Sequence, residues 1–107
     1  MSAPVDITPA QAARLVRDGE VVLLDVREPD EWAEVHVPEA IHVPLGVLEP
    51  SVFEGRVVLA LCRSGRRSAR AVDLLTAAGV DARNVAGGMV AWQQEGLGVV
   101  GGASGSA

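Results

Sequence analysis

Two short runs leave this chain little freedom of fold. Val21-Val22-Leu23-Leu24-Asp25-Val26 and Val57-Val58-Leu59-Ala60-Leu61 are almost unbroken stretches of aliphatic residues. A strand with one wet face alternates apolar and polar residues, whereas a strand covered on both faces does not. Both runs are therefore predicted to be inner strands of a parallel sheet with helices above and below. The flanking sequence agrees. Val5-Asp6-Ile7 reads as a short edge strand. Thr8-Pro9-Ala10-Gln11 reads as a helix start, with Thr8 as cap, Pro9 at the first position and Gln11 closing a capping box. Ala12, Leu15 and Val16 line that helix, and Gly19 ends it. A short helix is expected from Glu28 to Val35, a strand over Ala40 to Val43, and a connection over 46–54. A longer helix is expected from Arg66 to Ala78, with Ala71, Val72, Leu74, Leu75 and Ala78 as its apolar stripe. Asp81 to Val85 is the last strand. Gly87-Gly88 turns into a helix carrying Val90, Ala91 and Trp92. Strands alternating with helices over about 100 residues indicate an α/β sandwich, with ligands expected at the carboxyl ends of the strands.

The chain has 107 residues, 49% of them apolar and 21% charged. That suits one domain, over residues 1–100, and excludes a disordered chain. Phe53, Trp32 and Trp92 are the only aromatic side chains, so the core must be aliphatic. The Gly/Ser/Ala-rich stretch 101–107 is expected to be a flexible tail. No apolar run reaches the roughly 20 residues of a membrane span. The opening MSAPVDITPAQ lacks the charged and apolar regions of a secretory signal, so a reduced, cytoplasmic setting is expected. One cysteine allows no internal disulfide, and two histidines make a poor zinc site. No metal or organic cofactor is expected.

Charge is unevenly placed. The net charge is −5, yet residues 55–72 hold Arg56, Arg63, Arg66, Arg67 and Arg70 with no acidic residue. The rest of the chain sets four arginines against fourteen acidic residues. Such a molecule is a poor partner for nucleic acid or an anionic membrane, but it can focus a small anion at one place. The lone Cys62 lies inside that basic segment. Cys62-Arg63-Ser64-Gly65-Arg66-Arg67-Ser68 follows a buried strand and enters a helix, where backbone amides lack intrahelical partners. Gly65 allows a sharp turn. A cysteine held by such amides and arginines has a lowered pKa, and its thiolate is a nucleophile.

That loop resembles the active-site loop of rhodanese domains, the sulfurtransferase family. Leu24-Asp25-Val26-Arg27-Glu28-Pro29-Asp30-Glu31-Trp32, through His36 to Val43-Pro44-Leu45, is similar to the family's N-terminal signature. Asn84-Val85-Ala86-Gly87-Gly88-Met89-Val90-Ala91-Trp92, through Gly96-Leu97, is similar to its C-terminal one. The three stretches stand in family order over residues 5–99. Val35 and Glu39 depart from positions where the family usually has Gly, and Gly98 from one that is often Pro. The first two bear on local backbone geometry.

The resemblance implies a three-layer fold, a five-stranded parallel sheet with helices on both faces. It also implies that Cys62 carries sulfur as a persulfide. In that chemistry the thiolate takes sulfane sulfur from an anionic donor such as thiosulfate and passes it to cyanide or a thiol, a protein thiol included. Arg63, Ser64, Gly65, Arg66, Arg67 and Ser68 are the expected substrate-binding residues, with Arg67 as direct contact. Ser68 is equally a helix cap. Asp25 and Arg27 read as a structural ion pair, Glu31 as an anchor, His36 as a hydrogen-bonded buried histidine, and both tryptophans as packing. Two rivals share the loop. One is a persulfide carrier that docks on a partner protein. The other is a cysteine phosphatase, which needs Arg six places after the cysteine; here Ser68 stands there and Arg67 comes one place early.

Overall fold

The computed structural model describes residues 6–101. The elements are α1 (Pro9–Arg17), β1 (Val22–Asp25), α2 (Pro29–Glu34), β2 (Val35–His36) and β3 (Ile41–His42). Two 3₁₀ turns follow (Leu45–Val47 and Pro50–Phe53), then β4 (Val57–Leu61), α3 (Arg66–Ala77), β5 (Asp81–Asn84), α4 (Gly88–Gln94) and β6 (Val100–Gly101). The capping box at α1 forms as the sequence predicts. The Gln11 amide donates to Thr8 Oγ1 at 3.1 Å, and the Thr8 amide donates to Gln11 Oε1 at 3.0 Å. Among the described residues no helix is long and apolar enough to cross a membrane.

The main sheet has the order β3-β1-β4-β5 and is wholly parallel. The chain leaves β1 toward β3 and leaves β4 toward β5, in opposite directions. The carboxyl ends of these two central strands are thus the switch point where α/β sheets bind ligands. Asp25 pairs with Leu61 in register, so Val26-Arg27 and Cys62-Arg63 leave the sheet side by side.

The two apolar runs are buried on both faces, and successive side chains alternate between two cores. Val22, Leu24, Val58, Ala60 and Cys62 join Ala71, Val72 and Leu75 of α3 on one face. Leu23, Leu59 and Leu61 join Ala12 of α1 and Met89 and Trp92 of α4 on the other.

Among the described residues the parallel sheet has four strands, and the expected fifth is not clearly shown. Ile7 makes a single parallel bridge to Val85, its amide donating to the Asn84 carbonyl at 2.9 Å. Thr8 then caps α1, so among the described residues the edge strand amounts to this one bridge; Val5 lies outside the described residues. Helix faces also shift. Leu74 and Ala78 of the expected α3 stripe are exposed, because Ser68, Ala71, Val72 and Leu75 take the inward side. On α4, Met89 and Trp92 point inward and Val90 is exposed. Gly101, the first residue of the expected tail, pairs with Val35 in the antiparallel β2–β6 ribbon. Residues 102–107 lie outside the described residues.

Val35 and Glu39 need no glycine. Val35 is extended, at φ −160° and ψ 140°. Among the described residues every positive φ falls on a glycine.

At the carboxyl end of β1, Asp25 and Arg27 are both buried. The Arg27 Nη2 and Nε donate to the Asp25 carboxylate at 2.9–3.0 Å, and Nη2 also donates to the Val35 carbonyl at 2.7 Å. The pair ties the carboxyl end of β1 to the end of α2. Trp32 stacks between His36 and His42, with ring centroids at 3.7 and 4.7 Å. His36 Nδ1–H donates to the Trp32 carbonyl, and His42 Nε2–H donates to the Arg27 carbonyl. His36 is half-buried and hydrogen-bonded. Removing one partner of a buried ion pair strands the other charge. Asp25→Ala is expected to cost about 3–5 kcal/mol in urea denaturation; a loss within about 0.5 kcal/mol, the range of ordinary surface changes, would contradict this account.

Candidate active site

The alternation along β4 aims Cys62 at the α3 side of the sheet. The strand ends at Leu61, and α3 begins at Arg66 behind Gly65, which stands at φ 105°. Four residues therefore carry the chain from strand to helix.

The first turn of α4 holds this loop. The Met89 amide donates to the Cys62 carbonyl at 2.8 Å, and the Val90 amide donates to the Arg63 carbonyl at 3.1 Å. In a trans peptide the N–H points opposite to the C=O. With the carbonyls drawn toward α4, the amides that follow face away from it, into the loop. Close approach requires Gly88. A Cβ there would lie 2.3 Å from the Cys62 carbonyl oxygen and 2.5 Å from that of Arg63, and the residue sits at φ +57°.

The loop closes on sulfur. The Gly65 amide donates to Cys62 Sγ at 3.0 Å, and the Ser68 hydroxyl lies 3.2 Å from it. Cys62 is only 1% exposed. Burial pushes the thiol up. The Ser68 hydroxyl and the amides of Ser68, Gly65 and Ser64 pull it down by more, and the result lies below the ordinary thiol value. Hydrogen bonds to the charged form win over desolvation here.

The predicted loop residues divide by environment. Arg63, Ser64 and Arg66 are exposed on the rim, and Gly65 is half-buried beneath them. Among the described residues, neither Arg63 nor Arg66 forms an ion pair. Arg67, expected to be a direct substrate contact, is turned toward α2. Its Nη1 and Nη2 donate to Glu31 Oε1 and Oε2 at 2.7 and 2.9 Å. Its charge still bears on Cys62. Ser68 is fully buried and faces sulfur rather than capping a helix amide.

Asn84 was not singled out by the sequence reading. It is 7% exposed at the end of β5. Its Oδ1 accepts from the Ser68 hydroxyl at 2.6 Å, and its Nδ2 donates to the Gly65 carbonyl at 3.0 Å. The available signal was an amide side chain ending a buried strand, three residues before the Gly87-Gly88 turn. Beside the loop a cleft of about 430 Å³ is lined by Arg63, Met89, Val35 and Glu31. Among the described residues no group of three or more His, Cys, Asp or Glu is gathered that could hold a metal ion.

Glu31 also accepts from the Glu28 amide at 2.9 Å. The Arg67 fork, above all, holds its carboxyl at about 2, against an ordinary 4.5. A carboxylate with a depressed folded pKa contributes stability above its unfolded value and loses it as pH falls toward the folded one. The gap in urea midpoint between wild type and Glu31→Gln is therefore expected to close as pH falls from 4.5 toward 2. A gap that stays constant over that window would contradict the pairing.

A family model described as Rhodanese-like domain matches residues 8–95. An uncharacterised protein of Synechocystis is 38% identical over 97 residues, which cover 87% of this chain; the chain spans about half (54%) of that protein. A putative sulfurtransferase of Bacillus subtilis is 35% identical over 91 residues, 82% of this chain and 88% of that one. The crystal structure of a rhodanese-related protein from Thermoplasma volcanium superposes with a TM-score of 0.77 at 29% identity, over 90% of this chain and 97% of that one. The match runs from the cap of α1 past the end of α4 and takes in the whole cysteine loop: the chain belongs to the rhodanese-like domain family.

Proposed function

We propose that the protein is a sulfurtransferase that carries sulfane sulfur on Cys62. The observation behind this reading is a single buried thiol ringed by donors, with the Gly65 amide at 3.0 Å and the Ser68 hydroxyl at 3.2 Å from Sγ. Such a ring favours an anion at sulfur, first a thiolate and then a persulfide. A relative named as a sulfurtransferase over nearly its full length supports the same class.

The first step is attack of the Cys62 thiolate on the outer sulfur of thiosulfate. A new S–S bond forms to Cys62, the donor's S–S bond breaks, and its electron pair leaves with sulfite. The enzyme now holds Cys62–S–S⁻, whose outer sulfur bears the charge. In the second step cyanide or a thiolate attacks that outer sulfur. Thiocyanate or a persulfide of the acceptor departs, and the Cys62 thiolate returns. No external oxidant or reductant enters, and the kinetics are ping-pong. The same loaded state would serve a carrier that hands sulfur to a protein thiol. A reduced compartment such as the cytoplasm keeps the thiol free.

With Cys62 1% exposed, the attacked atom must be small or stand at the end of a group. The outer sulfur of thiosulfate is such an atom. Arg63 and Arg66 on the rim attract the anion, Arg67 adds charge while held on Glu31, and Ser64, Gly65 and Ser68 supply donors.

Intact-protein mass after incubation with thiosulfate tests the reading. Wild type is expected to gain one sulfur atom and lose it to cyanide, and Cys62→Ser to gain none. A folded, reduced wild type that gains nothing would contradict the proposal, and a phosphatase substrate would be tried next. The double change Arg63→Ala with Arg66→Ala is expected to raise KM for thiosulfate several-fold, the difference shrinking as salt screens the rim. An unchanged KM at low salt would remove these arginines from donor capture.

A further inference from the structure

The Ser68 hydroxyl has one proton and two acceptors within reach. Its oxygen lies 3.2 Å from Cys62 Sγ and 2.6 Å from Asn84 Oδ1. The Asn84 amide cannot swap ends, because its Nδ2 donates to the Gly65 carbonyl at 3.0 Å. The atom against Ser68 is therefore an oxygen that only accepts. Two oxygens at that separation are held together by a hydrogen between them.

We propose that Asn84 is a positioning residue that competes with Cys62 Sγ for the Ser68 hydroxyl proton and so restrains ionisation of the nucleophile. With the proton on Asn84 Oδ1, Ser68 Oγ offers a lone pair toward sulfur. The thiol is then served by a continuous chain, Sγ–H to Oγ–H to Oδ1. When Cys62 ionises, its proton leaves to solvent and the hydroxyl turns to Sγ. Oδ1 then loses its donor in a buried site, and that loss disfavours the thiolate.

The consequence for sulfur transfer rests on the function proposed above. In the persulfide the charge sits on the outer sulfur, and Sγ is a neutral, disulfide-like atom. The hydroxyl returns to Asn84, and the charge on the outer sulfur is met by the amides that line the loop. Asn84 thus penalises the bare thiolate and not the loaded state, which favours loading.

The other groups around the sulfur come from every element packed on it. The loop and α3 bring Arg63, Arg66 and Arg67, the last held by Glu31 of α2. The Met89 and Val90 amides of α4 are spent on the loop carbonyls. None of these is altered in the variants below.

The test is a double-mutant cycle on wild type, Asn84→Ala, Ser68→Ala and the double variant. The readout is the pH midpoint of alkylation by iodoacetamide. Cys62 is the single cysteine of the chain, so labelling is unambiguous, and the reagent is uncharged. Asn84→Ala also removes the bond to Gly65, and that effect is the same with or without Ser68. The proton competition exists only with Ser68. Asn84→Ala is therefore expected to move the midpoint lower, by about one pH unit, in the Ser68 background than in the Ser68→Ala background. Equal shifts in both backgrounds, or a coupling of opposite sign, would overturn the proposal. Asn84→Leu, which keeps the branched shape and lacks the acceptor, gives the same comparison should the alanine variant unfold. No sulfur donor is used, so failure of the sulfurtransferase reading and failure of this one are read separately.

Discussion

The carbonyls of Cys62 and Arg63 accept from the Met89 and Val90 amides at 2.8 and 3.1 Å, which fixes the loop face-down on α4. Part of the geometry at the sulfur follows from this: the peptides so turned carry the Arg63 and Ser64 amides, and the Ser64 amide is among the groups that lower the thiol. Carbonyls committed to α4 leave amides committed to the loop interior. The thiol is then surrounded by donors although it is buried among Val58, Ala60 and the inner side of α3. Gly88 makes the contact possible, since any Cβ there would collide with backbone rather than with a side chain that could move. A strand end, a helix start and a second helix start thus meet at one residue.

Charge is arranged around this point in two tiers. Buried charge is paired and structural: Asp25 with Arg27 joins the end of β1 to the end of α2. Nearer the surface, Arg67 is clamped by Glu31, which binds α2 to α3. Arg63 and Arg66 stay on the rim. On the proposed function, this rim is the one place where an otherwise acidic molecule draws an anion.

Much of this was legible in the sequence. The unbroken runs 21–26 and 57–61 predicted doubly covered strands, and both formed at the centre of the sheet. The Thr8–Gln11 capping box and the cysteine loop at a strand–helix junction are local chemistry, and local chemistry is what sequence displays. The misses were tertiary. At the sheet edge Ile7 makes a bridge to Val85 and meets a helix cap one residue later. Leu74 and Val90 are apolar yet lie outside the arcs that their helices turn inward, because Ser68 and Met89 fix the rotation. Asn84 lies 22 residues from Cys62 in sequence, and only the pairing of β4 with β5 brings it beneath the loop. Arg67 reads as an anion ligand from its own loop, while its partner Glu31 comes from another element.

The central claim is that donors from the loop outweigh burial at Cys62. Ultraviolet titration of the thiolate tests it most directly, with Cys62→Ser as the blank. The chain has no tyrosine, so no phenolate absorbance overlaps the signal. The predicted midpoint lies below the ordinary thiol value of 9.0. A midpoint at or above that value would mean that burial prevails and that the loop is not an anion cradle.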